Sequence, residues 1–119
     1  MSLCIALGAK TLMLAGSVFT LSWTHSVEKT VWTETWSVTD AGLVAIEARI
    51  EGSGAGMEPP DGAVFDGAGW VYRPQLSPLP RLVLADSGAV GAWTLCSGDG
   101  CLALGGGGGP AIVLEPCAP

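Results

Sequence analysis

The sequence predicts an all-β fold, a small antiparallel β-sandwich or partly closed β-barrel of about eight to ten short strands. Apolar runs recur about every eight to twelve residues and are separated by Gly, Pro, Asp or Ser, as in such folds. No segment has the pattern of a useful helix. With 119 residues, 49% of them hydrophobic and 13% charged, the chain has the size of one domain, residues 1–119, and is too apolar for disorder.

Ten segments have the apolar or alternating pattern of strands. They are Leu3 to Leu7, Thr11 to Ala15, Val18 to Ser26, Thr30 to Val38, Leu43 to Ile50, Trp70 to Arg73, Arg81 to Leu84, Ala92 to Cys96, Cys101 to Ala103 and Ala111 to Leu114. The glycine- and proline-rich stretch from Gly52 to Gly69 predicts a long ordered loop, and Gly105 to Pro110 predicts a flexible one.

The apolar run from Leu3 to Leu21 could form a signal or membrane segment instead of strands. No basic residue precedes it, Lys10 lies inside it, and Gly8 and Gly16 divide it into pieces of strand length. We therefore expect buried strands here and no membrane span.

Composition also limits partners and cofactors. Eleven acidic and five basic side chains give a net charge of −6, which repels nucleic-acid phosphates, so nucleic acid is not an expected partner. One histidine and the lack of paired C-x-x-C motifs argue against a zinc site. No cofactor and no metal are predicted.

The four cysteines constrain the fold further. Cys96 and Cys101 flank Ser-Gly-Asp-Gly, a sequence that suits a tight hairpin and would bring the two thiols face to face. Cys4 and Cys117 lie near the two ends of the chain. Four cysteines allow three connectivities. Pairing Cys96 with Cys101 and Cys4 with Cys117 is the one that requires the least backbone distortion. Four reduced cysteines in a cytosolic protein are the alternative.

The strongest local pattern is the alternation in FTLSWTHSVEKTVWTETWSV. On two paired strands it places one set of side chains on a common packed face: Phe19, Leu21, Trp23, His25, Trp32, Glu34, Trp36 and Val38. The opposite set should point away: Ser22, Thr24, Thr33 and Thr35. A two-residue turn at Glu28 and Lys29 would make His25 and Glu34 diagonal neighbours. A four-residue turn ending at Val31 would place them directly opposite each other.

A hydrogen-bonded pair of His25 and Glu34 beside three tryptophans is the main chemical candidate. Partial burial and a charged partner would shift both pKa values. Structural ion pairs have the same effect, so a purely structural pair is the preferred interpretation. A hydrolase using His25 as base with Ser26 and Glu34 is the alternative. It would need a bent strand, because Ser26 points to the other face, and the chain lacks a G-x-S-x-G motif.

A second segment, GSGAGMEPP from Gly52 to Pro60, directly follows a predicted strand. It lacks the Gly-Lys-Ser/Thr of a P-loop, which argues against phosphate binding. Its alternating glycines indicate special backbone angles or close packing. The segment is either a tight crossing of the sheet edge or a ligand loop containing Gly54, Gly56 and Met57.

Together, WTHSVEKTVWTETW and GSGAGMEPPDGA give the chain a resemblance to the bacterial family called domain of unknown function 1850. The resemblance extends through nearly the whole chain, including the four cysteines, and is most specific at residues 25–29 and then 54–57. Here Thr33 and Thr35 flank Glu34 where family members often carry more acid, which argues against a metal-binding acidic cluster. The resemblance implies an association with tripartite ATP-independent periplasmic (TRAP) transporters of the TAXI type, and no established activity.

Two functions follow as hypotheses. The first is a non-catalytic accessory or binding module of a TAXI-type TRAP transporter, located in the periplasm, with the permease or the solute-binding protein as partner. Its predicted contact residues are His25, Ser26, Glu28, Lys29, Glu34, Gly54, Gly56 and Met57. The second is a small hydrolase or acid/base enzyme using His25, and a cytoplasmic location is the alternative to the periplasm. An exposed patch would favour the module and a deep pocket the enzyme.

Overall fold

The computed structural model describes residues 1–24, 30–51, 62–86, 91–98 and 100–118, which form two antiparallel β-sheets. These described residues contain eleven strands and no helix. The strands are β1 (Ser2–Leu7), β2 (Lys10–Ala15), β3 (Val18–Thr24), β4 (Val31–Thr39), β5 (Gly42–Glu51), β6 (Val64–Phe65), β7 (Gly69–Tyr72), β8 (Leu82–Leu84), β9 (Trp93–Ser97), β10 (Gly100–Leu104) and β11 (Ile112–Cys117). All ten predicted strands are present, with ends that differ by up to three residues, and the last two residues of the third, 25 and 26, lie outside the described residues.

The two sheets face each other as a sandwich and do not close into a barrel, the other architecture that the sequence allowed. The smaller sheet has the order β2-β1-β11-β8 and the larger one β10-β9-β3-β4-β5-β7-β6. Both contribute to one buried cluster of side chains: Leu3, Ile5, Phe19, Leu21, Trp36, Val38, Leu43, Leu84, Leu95, Leu104, Ile112 and Leu114. The larger sheet therefore has an inner face, which carries Phe19 and Leu21, and an outer face.

The N-terminal apolar run forms β1, β2 and the first part of β3, as predicted, but the expectation that all of these strands are buried is wrong for β2, whose side chains are intermediate or exposed. Leu3 and Ile5 of β1 are almost completely buried. Among the described residues, no helix has the length and apolar character needed to cross a membrane.

Two disulfides join the predicted cysteine pairs. Cys96 and Cys101 are directly opposite each other on β9 and β10, with Cα atoms 4.0 Å apart. Cys4 of β1 is bonded to Cys117 at the end of β11, with a Cα separation of 5.8 Å. The second bridge therefore joins two neighbouring strands from opposite ends of the chain.

The pairing of β3 with β4 corrects both predicted registers, while the turn itself, residues 25–29, lies outside the described residues. Trp23 lies opposite Trp32, and Leu21 lies opposite Glu34. The register of the two-residue turn is therefore wrong by two residues and that of the four-residue turn by four. A shift by an even number of residues keeps every side chain on its face, so the apolar pattern cannot distinguish these registers. The common face is confirmed, since Phe19 also lies opposite Trp36.

The predicted loop from Gly52 to Gly69 contains a short strand, which corrects that prediction in part. Residues 52–61 lie outside the described residues. In β6, Phe65 pairs with Trp70 of β7. Asp66 forms the turn between these strands, because its Oδ1 accepts hydrogen bonds from the backbone amides of Ala68 at 2.9 Å and Gly69 at 2.8 Å.

The glycine run at residues 105–110, predicted to be flexible, is bound to the side chain of Asp86. The backbone amides of Gly106 and Gly108 donate hydrogen bonds to its Oδ1 at 2.9 and 3.1 Å, and the amide of Gly109 donates to Oδ2 at 3.0 Å. The bonds from Gly109 and Gly108 are the main cause of a lowered pKa of Asp86.

We expect acid to release this glycine run. Folding lowers the pKa of Asp86. The ionised carboxylate therefore contributes its full stabilisation above the pKa of the unfolded chain, about 4, and this stabilisation is lost as pH falls through the pKa of the folded protein. Hydrogen exchange at the amides of Gly106, Gly108 and Gly109 should accelerate in Asp86→Ala at neutral pH. The control is Asp40→Ala, in an exposed turn. Unchanged exchange in Asp86→Ala would show that the carboxylate does not hold the run.

Candidate functional site

One end of the larger sheet carries a row of aromatic side chains on its inner face. We call Trp93, Trp23, Trp32, Trp70 and Phe65 the aromatic row; they lie on β9, β3, β4, β7 and β6. The strand pairing aligns them, with Trp23 opposite Trp32 and Phe65 opposite Trp70. Ile50 of β5 fills the position between Trp32 and Trp70. Six adjoining strands, β9, β3, β4, β5, β7 and β6, thus contribute to one line of apolar side chains.

Ring contacts connect most of this row. The ring centroid of Trp23 lies 5.0 Å from that of Trp93 and 6.0 Å from that of Trp32. At the other end, the rings of Phe65 and Trp70 are 5.2 Å apart. The planes are tilted by 34° between Trp23 and Trp32 and by 54° between Trp23 and Trp93, so the three rings form an uneven wall.

Most of the aromatic row lies outside the main core. Trp36, two positions beyond Trp32 on the same face of β4, is 2% exposed and packs within the core between the sheets. By contrast, Trp23, Trp32 and Trp70 are half-buried and do not belong to the core cluster, and Phe65 is 45% exposed. The prediction that the tryptophans at 23, 32 and 36 share the packed face is confirmed, but only Trp36 is fully buried there.

Glu34 lies next to this row and points to the same face. It occupies the position between Trp32 and Trp36 on β4, and Trp36 Nε1 donates a hydrogen bond of 3.1 Å to Glu34 Oε1. The neighbouring positions across the strands are those of Leu21 and Ala48. A carboxylate is thus surrounded mainly by apolar and aromatic side chains.

This environment changes the acidity of Glu34. Burial disfavours the charged form and raises its pKa, and the hydrogen bond from Trp36 lowers it by a smaller amount. Tyr72 lies two strands away in the same cross-strand row, beyond the small side chain of Ala48. Burial and the negative charge of Glu34 raise the pKa of this tyrosine.

The ionised form of Glu34 therefore costs stability. Folding raises the pKa of Glu34 above its unfolded value of about 4.3. Between the unfolded and the folded pKa, the folded protein therefore binds more protons than the unfolded chain. The free energy of unfolding falls as pH rises through this range. Above it the cost is constant. A carboxylate that opposes folding at neutral pH is a candidate for function, because perturbed groups of this kind are common at functional sites.

No described basic side chain forms an ion pair with Glu34. Arg49 of β5 lies opposite Thr33, on the outer face of the sheet, and its guanidinium forms a salt bridge of 3.1 Å with Asp66. Within the described ranges no three His, Cys, Asp or Glu side chains are grouped to hold a metal ion.

Most of the predicted contact residues lie outside the described residues. These are His25, Ser26, Glu28, Lys29, Gly54, Gly56 and Met57. Glu34 is placed beside Leu21 instead of opposite His25, and its pairing with His25 stays a prediction. The segments 25–29 and 52–61 follow the last residues of β3 and β5, and those strands end at the sheet end that carries the aromatic row.

Comparison with known proteins assigns the chain to a family without giving it an activity. The model of the family described as Domain of unknown function (DUF1850) matches residues 19–104, which is well over half of the chain and includes the aromatic row and Glu34. No curated protein and no solved structure gave a significant match.

Proposed function

The chain belongs to the DUF1850 family, and we propose that it is a non-catalytic binding module that receives its ligand or partner on the aromatic row and Glu34. The observation that carries this proposal is a half-buried wall of tryptophans beside a carboxylate without a described ionic partner. Trp and Tyr contribute large contact areas at interfaces, and buried polar groups near them give specificity.

Binding fits this site better than catalysis. General acid/base catalysis depends on a titratable side chain within hydrogen-bond reach of the proton that it transfers, and it is helped when an acid and a base act together. The hydrogen bond that Glu34 accepts comes from the indole of Trp36, which does not titrate, and serves to hold the carboxylate in place. The arrangement therefore presents a fixed negative charge in an apolar setting, which suits recognition.

We place this activity outside the cytoplasm. Two disulfides tie the described strands together, and such bonds persist in oxidising compartments such as the periplasm. The partner that we propose is the permease or the solute-binding protein of a TAXI-type TRAP transporter. Support for this choice is the family membership alone.

Affinity capture from detergent-solubilised membranes of the source organism should recover a transporter permease or its solute-binding protein. Trp23→Leu removes the ring between Trp93 and Trp32 in the aromatic row and keeps an apolar side chain. This variant should no longer recover the transporter component. The matched control is Val83→Ala, at a 60%-exposed apolar position on the smaller sheet. Absence of the transporter from the wild-type capture would contradict the proposed partner. Its recovery by Trp23→Leu would contradict the aromatic row as the contact site.

A further inference from the structure

We propose that the aromatic row and Glu34 bind a small organic cation, a solute carrying a quaternary ammonium or protonated amine group. This inference rests on the proposed binding function and adds the chemical class of the ligand to it. Three features of the described residues support it: an uncompensated carboxylate, tryptophan faces beside it, and the charge of the whole chain.

The carboxylate determines the sign of the charge that the ligand carries. Glu34 is held in place by Trp36 Nε1 on one oxygen, at 3.1 Å, and lies among side chains that supply no described positive charge. A buried carboxylate without a cation is unfavourable, and a bound cation would offset that cost. An anionic ligand would meet repulsion from Glu34 at the same place.

The tryptophans favour a cation with an apolar body. Indole faces attract cations more strongly than other aromatic rings when the charge lies within about 6 Å of the ring centroid. Trp32 is two residues before Glu34 on the same face of β4, and Trp23 lies opposite Trp32. A methylated or alkylated ammonium could thus contact the indoles and the carboxylate together.

Ring geometry argues against an extended planar ligand, which would need neighbouring ring planes that are nearly parallel. Here the planes of Trp23 and Trp93 differ by 54°, and those of Trp23 and Trp32 by 34°. The wall is uneven, which suits a compact, rounded group better than an extended planar one.

The charge of the chain acts in the same direction. A net charge of −6 raises the local concentration of cations around the protein and speeds their encounter with it. Arg49, a basic side chain on a strand of this sheet, is turned to the outer face and is paired with Asp66. Arg49 therefore does not supply a positive charge to Glu34 on the inner face.

Choline and 3,3-dimethyl-1-butanol, its uncharged isostere, separate charge recognition from apolar contact. Titration of each into the disulfide-bonded protein at constant ionic strength, followed by tryptophan fluorescence and calorimetry, should show saturable binding of choline. The neutral isostere should bind about tenfold more weakly or not at all.

Two variants that remove the same charge test the role of Glu34. Glu34→Gln keeps an oxygen for the Trp36 indole and should weaken choline binding by about tenfold. Its thermal stability at neutral pH should not fall, because the ionised carboxylate opposes folding. Glu115→Gln, at an exposed position of β11, should bind choline as the wild type does.

The results distinguish this inference from the proposed function. Equal affinities for choline and the isostere, or an unchanged affinity in Glu34→Gln, would overturn the organic-cation site. If the transporter component is still captured through Trp23 in that case, the binding function stands and only the ligand class is wrong. Choline binding that depends on Glu34 supports the site even if no transporter is captured.

Discussion

Replacing both Cys4 and Cys117 by alanine is expected to lower the free energy of unfolding by about 4 to 5 kcal/mol. The bridge joins residues separated by 113 positions, so its removal greatly enlarges the unfolded ensemble in the chain-entropy description. It also removes the covalent link between β1 and β11, the central strands of the smaller sheet. Denaturation by urea under non-reducing conditions measures the loss.

The hairpin disulfide is the internal control for this prediction. Cys96 and Cys101 are five positions apart, and replacing both by alanine should cost only about 2 kcal/mol, because a short loop loses little entropy on closure. A terminal-bridge variant as stable as the hairpin variant would mean that β1 and β11 are held together in the unfolded chain by other contacts.

The strands could be predicted from the sequence because each depends on a local pattern. Apolar runs bounded by glycine, proline and polar residues were sufficient for all ten predicted strands. The missing strand, Val64–Phe65, is two residues long and lies in a glycine-rich stretch. It exists because Asp66 turns the chain back onto β7, and that contact is not visible as a hydrophobic pattern.

Register was less accessible than strand position. Alternation with a period of two fixes which face a side chain occupies, but every even shift satisfies it equally well. In the structure, the pair Phe19 and Trp36 enters the core and sets the alignment of β3 with β4. That choice depends on packing against the smaller sheet, which no local pattern in the hairpin contains.

The aromatic row illustrates the same limit for the site. Trp23, Trp32 and Glu34 could be assigned to one face because they lie in a single hairpin. Trp70 and Trp93 lie far along the chain, and their positions depend on the pairings of β5 with β7 and of β3 with β9. The alternating patterns of β7 and β9 contained a usable signal, but the alignment of several strands was required to read it.

Gly42→Ala should destabilise the fold by about 3 kcal/mol. Gly42 begins β5 with a φ of +131°, and a Cβ there would lie 2.5 Å from the carbonyl oxygen of Leu79. That carbonyl accepts a hydrogen bond of 2.7 Å from the amide of Leu43, and the amide of Leu79 donates one of 2.9 Å to Leu43 in return. The substitution must therefore separate two backbones that are bonded together.

Gly16→Ala separates the clash from the backbone strain. Gly16 has a similar φ of +119°, but a Cβ there would meet nothing within 4 Å. Its replacement should cost only the strain of a left-handed backbone, about 1 to 2 kcal/mol, so the difference from Gly42→Ala measures the Leu43–Leu79 contact. Chemical denaturation of the two variants gives this difference. Equal losses of unfolding free energy in the two variants would show that the backbone at Leu79 can move away without an energetic penalty. Residues 73–81, which link β7 in one sheet to β8 in the other, would then not be fixed at this point.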